Sequence, residues 1–226
     1  MQTSAPRIAL IHATALAVEP IALAFERHWP QARRMNLLDD SLSVDRAAAG
    51  SLTPAMVQRF VDLAGYARGA GCDAILFTCS AFGPAIEAAA QAVGLPTLKP
   101  NEAMFEQALA QCGAGGARLG LIATFEASIA SMSEELLQLA GQRGLQVELR
   151  SVFVPGAMAD LAHGQAEQHH QKVAQAARQL AECDVVMLAQ FSMADAQPTV
   201  QQELACPVLS SPDCAVRALQ KRMTDV

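Results

Sequence analysis

Thr78-Cys79-Ser80 sets a thiol between two hydroxyls, and a thiol can serve as base, acid or nucleophile according to its pKa. The apolar run Ala74-Ile75-Leu76-Phe77 precedes it, and Gly83-Pro84 follows. The run reads as a strand covered on both faces, and Gly83-Pro84 as a turn opening a helix over 85–93. Cys79 is therefore expected at the carboxyl end of a parallel strand, the edge at which open α/β sheets bind ligands. A helix amino end facing it would lower its pKa and favour a thiolate or a bound carboxylate.

Five further residues fall at or just after predicted strand ends: His12, Ser80, Thr124, Gln190 and Ser192. Hydroxyls and backbone amides in such places can hold a carboxylate and stabilise the added charge of an enediolate. An unactivated serine is a poor proton carrier at neutral pH, so Ser192 and Gln190 read as substrate-binding groups. His12 is the substitute acid or base, should a second be needed, with Glu126 a weaker candidate. The competing structural readings are a buried thiol for Cys79, helix caps for the hydroxyls and a hydrogen-bonded core residue for His12. Cys72, Cys183 and Cys206 sit at strand starts, away from that edge, and read as structural.

The elements that must position these groups occur twice. At an offset of 111 residues (183 − 72), Cys72-Asp73 becomes Cys183-Asp184, and Ile75-Leu76 falls within the run Val185-Val186-Met187-Leu188. Arg7-Ile8-Ala9-Leu10-Ile11 becomes Arg118-Leu119-Gly120-Leu121-Ile122 at the same spacing. Strands alternate with helical patterns throughout, which implies parallel sheets with right-handed crossovers. The expected fold is α/β, with two pseudo-symmetric lobes, each a parallel sheet flanked by helices, and a site in the cleft between them. The first lobe is expected to comprise 1–98 plus 207–226, and the second 99–206. Asp39 to Asp45 reads as a polar loop, Gln165 to Glu182 as one long helix, and Gly113 to Gly116 as a flexible join. At this offset Cys79 pairs with Gln190, so the thiol has no counterpart.

Composition narrows the function. Of 226 residues, 52% are hydrophobic and 17% charged, which excludes a disordered chain. The net charge of −6, from 22 acidic and 16 basic residues without a basic run, argues against nucleic acid or an anionic membrane as partner. No apolar stretch approaches the roughly 20 residues of a membrane span, and Met1 to Pro6 has no leader pattern. Six cysteines occur without any C-x-x-C pair, and adjacent His169 and His170 cannot share a helical face, so no metal is expected. Reduced thiols suit a cytoplasmic location. Neither a glycine-rich dinucleotide fingerprint nor a phosphate loop survives its context check, so no cofactor is expected.

Two duplicated α/β halves, with Thr78-Cys79-Ser80 at one strand end and Leu188-Ala189-Gln190-Phe191-Ser192-Met193-Ala194 at the equivalent one, resemble the aspartate/glutamate/hydantoin racemase superfamily. That superfamily also contains maleate isomerases and arylmalonate decarboxylases. The resemblance spans essentially the whole chain and implies cofactor-independent chemistry on a small carboxylate, with a cysteine from each lobe on opposite faces of the substrate. Here the first cysteine is Cys79, and the second is replaced. The resemblance thus implies a racemase or isomerase acting at the carbon next to a carboxylate, with Cys79 as the catalytic thiol. The alternatives are a decarboxylase using Cys79 as single proton donor, and a non-catalytic binder of small carboxylates. Homo-oligomerisation is left open.

Overall fold

The structure, a computed structural model, describes residues 5–113 and 116–224. Ala114 and Gly115 of the expected glycine-rich join lie outside the described residues. The chain divides into two compact units, 1–100 with 215–226, and 101–214.

The first unit is a parallel four-stranded sheet of order β2-β1-β3-β4, made of β1 (Arg7–His12), β2 (Arg33–Leu38), β3 (Ala74–Phe77) and β4 (Thr97–Leu98). Helix α1 (Val18–His28) joins β1 to β2. Helices α2 (Ser41–Ala49) and α3 (Pro54–Gly69) join β2 to β3, and α4 (Gly83–Val93) joins β3 to β4. All four residues of β3 are buried, as a strand covered on both faces must be. Thr53 caps α3 by accepting a hydrogen bond from the Met56 amide at 3.3 Å, and Pro54 begins the helix. Phe60 of α3 then stacks on Phe77 of β3 and on Phe82, with ring centroids 5.1 and 4.8 Å apart. These offset contacts fix the chain just before and after Cys79.

The second unit repeats the plan with β5 (Ala117–Ala123), β6 (Val147–Phe153), β7 (Val185–Leu188) and β8 (Val208–Ser210), in the order β6-β5-β7-β8. Its helices are α5 (Glu102–Leu109), α6 (Ala127–Gln142), α7 (Ala157–Ala162), α8 (Ala166–Ala177) and α9 (Gln197–Glu203); α10 (Ser211–Thr224) closes the chain. Side chains alternate between the faces of this sheet. Leu119, Leu121, Val185 and Met187 enter one buried cluster, and Ile122, Val186 and Leu188 the other. At Gly120 an added Cβ would lie 2.9 Å from Leu180 and 3.0 Å from Val186, so the absent side chain is what lets those groups close over the strand.

The internal repeat extends to strand register. Ile8 pairs with Ala74, and Leu119 with Val185, each 111 residues on (8 + 111 and 74 + 111). At the amino edge of each sheet a carboxylate accepts the first strand's leading amide: Arg7 N–H to Asp73 Oδ2 and Arg118 N–H to Asp184 Oδ2, both at 2.7 Å.

Three sequence expectations need correction. Residues 207–214 belong to the second unit because β8 hydrogen-bonds to β7, so the joins fall after 100 and after 214. The expected loop from Asp39 to Asp45 is largely helix, α2, closed by Gly50 in the left-handed conformation at φ 66°. The expected long helix over 165–182 is α8 followed by a 3₁₀ turn over Arg178–Leu180, with α7 formed ahead of it.

Candidate active site

Adjacent strands β1 and β3 of the first unit bring His12, Thr78, Cys79 and Ser80 to one carboxyl edge, where the Thr78 amide still bonds the Ile11 carbonyl at 3.0 Å. His12 is fully buried and both ring nitrogens are used. Nε2 lies 2.9 Å from Asn36 Oδ1 and so carries the proton. Nδ1, 2.8 Å from Thr78 Oγ1, accepts from that hydroxyl. Burial lowers the His12 pKa, the Asn36 bond only partly opposing it, so the ring is neutral at pH 7. This geometry gives His12 the role of a peg between β1, β2 and the Cys79 strand.

Cys79 is half-buried. Burial pushes its thiol up to about 11, against the Ala81 amide, the Ser43 hydroxyl and the positive charge of Arg46, all of which favour the thiolate. The expected lowering by a helix amino end is therefore reversed, because desolvation outweighs these groups, and two features weaken them. Helix α4 starts four residues on, at Gly83, so that the amide of Ala81 stands in for its first turn. Ser43 also sends its one proton to the Ala13 carbonyl at 2.6 Å and has little left for the sulfur. At neutral pH Cys79 holds its proton. Ser80, beside it, is half-buried.

Ser43 is not singled out from the sequence because the polar run Asp39 to Asp45 reads as loop, and Arg46 directly follows that run. On α2 they are three residues apart and share a face. Arg46 makes no ion pair or hydrogen bond among the described residues, and its Nε is buried without a partner. The neighbouring carboxylate, Asp45, is turned to Arg59 of α3, whose Nη1 lies 2.6 Å from it. Arg59 also binds Asp39 and Ser41, which fastens the start of α2. The readable signals for this helix were the Ala47-Ala48-Ala49 run and Gly50 as its stop.

In the second unit the equivalent edge follows β5 and β7 and brings Thr124, Gln190 and Ser192 into one neighbourhood. Gln190 occupies the place of Cys79 and bonds through both ends of its carboxamide. Its Oε1 accepts from the Thr124 amide at 2.8 Å and lies 3.2 Å from Thr124 Oγ1. Its Nε2 donates to Ser128 Oγ at 2.6 Å, and that hydroxyl donates to the Phe125 carbonyl at 2.7 Å. Ser128, in the first turn of α6, is a third residue that the sequence does not single out, because its role needs the fold to be seen. Ser192 lies two residues on in a 3₁₀ segment, Phe191–Ala196, and is 6% exposed. Among the described residues, no histidine, cysteine or carboxylate of the second unit shares this Gln190 network.

The sequence matches the Asp/Glu/hydantoin racemase family over residues 8–219. The chain belongs to that family. A search of curated proteins finds no sequence match. Among solved structures, a glutamate racemase of Bacillus anthracis is similar, with a TM-score of 0.76 and 19% identity over 99% of this chain and 83% of that one. An allantoin racemase of Klebsiella pneumoniae gives 0.71 and 16%, over 97% and 88%. Unliganded arylmalonate decarboxylase gives 0.58 and 18%, over 96% and 92%. At these identities the likeness is one of fold. Membership of the racemase family is consistent with an enzyme, and the six candidate residues lie at the two sheet edges described above.

Among the described residues no group of three or more His, Cys, Asp or Glu side chains could hold a metal ion. No described helix is long and apolar enough to cross a membrane.

Proposed function

We propose that this racemase-family chain is an enzyme that transfers a proton at the carbon next to a carboxylate of a small substrate, with Cys79 as the proton donor and no cofactor. The observation that carries this reading is the place of Cys79: a half-buried thiol at a strand's carboxyl edge, raised in pKa by burial, with the positive charge of Arg46 acting on it. An unpaired guanidinium suits a carboxylate, and the substrate is accordingly a small carboxylate. Ser80 supplies a hydroxyl for binding in the first unit; Thr124 and Ser192 are the candidate binding hydroxyls of the second unit's own edge, where Thr124 is bonded to Gln190.

A single protonated donor favours one course. Loss of carbon dioxide from a malonate-type substrate breaks the bond to one carboxyl carbon and leaves the electron pair on the α carbon as an enediolate. The Cys79 S–H then protonates that carbon, the sulfur is left as thiolate beside Arg46 and the Ala81 amide, and water restores its proton. Racemisation or isomerisation of an amino acid, its derivative or a dicarboxylate is the second reading, favoured by the family match. It requires a base on one face and an acid on the other, and Gln190 supplies neither.

The test is a panel of amino acids, hydantoins, maleate and aryl malonates incubated in heavy water, with deuterium at the α carbon and released carbon dioxide as readouts. Turnover of one substrate, falling about 100-fold or more in Cys79→Ala, supports the reading. Near wild-type turnover in that variant overturns it. Binding without turnover across the panel would favour a carboxylate-binding protein.

A further inference from the structure

A sheet edge with unpaired amides and carbonyls templates another strand unless something blunts it. Of the four edge strands, β4 and β8 are two and three residues long, too short to serve. On β6 the exposed charges of Glu148 and Arg150 are spent on each other at 2.9 Å. β2 is different. It is six residues long, and the Arg33 side chain has no hydrogen bond or ion pair among the described residues.

Backbone bonds show which groups of β2 face outward. Arg33 N–H donates to the Pro6 carbonyl at 2.8 Å and Asp39 N–H to the His12 carbonyl at 3.0 Å, so the odd-numbered residues point their amides at β1. In a parallel pair the alternate residues, Arg34, Asn36 and Leu38, then turn both N–H and C=O away from the sheet. Side chains sort by the same alternation. Leu37 lines a cavity of about 380 Å3 with Asp39 and with Arg59, Asp62, Leu63 and Tyr66 of α3, whereas Arg34 reaches Ala22 and Glu26 of α1. Three of the exposed large apolar side chains lie on β2, α2 and α3: Leu38 at 46%, Val44 at 68% and Tyr66 at 64%.

We propose that β2 is a self-association edge, at which a second copy of this chain adds its own β2 antiparallel about a two-fold axis through Asn36. That register is the one in which all three outward residues bond, Asn36 to its own copy and Arg34 to Leu38 in both directions. Opposed residues of an antiparallel pair share a face. Met35 therefore meets the Leu37 of the other copy, and Arg33 meets its Asp39, at the mouth of the cavity that also holds Asp62. Centring on Met35 instead would set Arg33 against Leu37 and leave Leu38 beyond the pairing. The strand thus carries its free cation at one end and carboxylates at the other, the arrangement a two-fold axis makes complementary.

Sedimentation equilibrium and hydrogen exchange of the full chain test this over a wide range of concentration. The wild type should reach the mass of two chains, and three amides in the peptide over 33–39 should gain protection as it does so. Leu38→Pro removes one outward N–H and no bond to β1, a substitution that edge strands tolerate. It should leave thermal unfolding of the dilute protein near wild type and abolish the dimer. Arg33→Asp, which sets carboxylate against carboxylate, should weaken association at least about 10-fold. A wild type that stays a single chain at every concentration overturns the proposal. So does a dimer that withstands both substitutions, or one whose added protection falls outside β2.

Discussion

Gln190 stands in the second sheet where Cys79 stands in the first (79 + 111), and its carboxamide is spent on Thr124 and Ser128. One unit therefore ends its central strand in an ionisable group, and the other in a hydrogen-bonded plug. The proposed donor, Cys79, accordingly delivers its proton to one face of the substrate. In wild type, deuterium should enter the α carbon of a turned-over substrate with one handedness, which chiral chromatography of the product checks. Equal labelling of both faces would mean that a second acid or base is at work.

Gln190→Cys should put a thiol at both strand ends and create or strengthen exchange of handedness in the product. It also leaves the Thr124 amide without its acceptor, so stability should fall by about 1–3 kcal/mol. Denaturant unfolding measures the loss, and the enantiomeric composition of product measures the gain. Ser192→Ala should mainly weaken substrate binding, raising KM more than it lowers kcat.

Arg59 holds α2 at its start, and with it the placement of Ser43 and Arg46. Removing it in Arg59→Met should destabilise the first unit by about 0.5–1 kcal/mol, since Asp39 and Asp45, both partly exposed, lose their donor. The pairing also holds the Asp39 carboxyl below its usual range: burial raises it, and the bonds from Arg59 and Ser41 outweigh that. A depressed carboxyl stabilises above its unfolded pKa and loses this as pH falls through the folded value. The difference between wild type and Arg59→Met should accordingly shrink on acidification below about pH 4, as read from thermal unfolding.

His169 on α8 is fully buried, and neither ring nitrogen has a partner. Burial, and then the nearby His170, lower its pKa to about 4, with Asp160 partly opposing. Because the folded value lies below the unfolded one, the native state resists protonation of this ring. Its contribution is intact above the unfolded pKa, near 6.5, and is lost progressively as pH falls toward 4. Urea midpoints should decline over that window, and less steeply in His169→Leu.

Gly120→Ala forces a methyl against Leu180 and Val186 and should cost about 1–3 kcal/mol, with little effect on any catalytic parameter. Activity on a confirmed substrate should survive exhaustive chelation and need no added cofactor; restoration by a divalent ion after loss would contradict the proposed chemistry.

The sheets were legible because parallel strands buried on both faces leave a plain mark: Ala74 to Phe77 and Val185 to Leu188 are apolar runs closed by turn residues. The repeat was legible because identical register demands identical spacing. Helix α2 was not, since a short amphipathic surface helix with Ser41, Ser43, Asp45 and Arg46 has the polarity of a loop. For the same reason Arg46 went unnoticed beside Cys79. The thiol's proton affinity was misjudged because sequence shows the charges near a group and not how far water is excluded from it. Gln190 read as a ligand for substrate, whereas its bonds to Thr124 and Ser128 depend on two segments 66 and 62 residues away. The end of the first lobe was misplaced because a three-residue strand, β8, says nothing about which sheet it will join.

The carboxylates of Asp73 and Asp184 fasten the amino edges of the two sheets in the same way, while the carboxyl edges have diverged from hydroxyl-thiol-hydroxyl to alanine-amide-aromatic. Scaffold and reactive tip are thus separable cassettes. β3 and β7 leave their sheets in matching register, but Phe191–Ala196 form a 3₁₀ segment where the first unit turns into α4 at Gly83, so the tips have diverged in backbone as well as in chemistry.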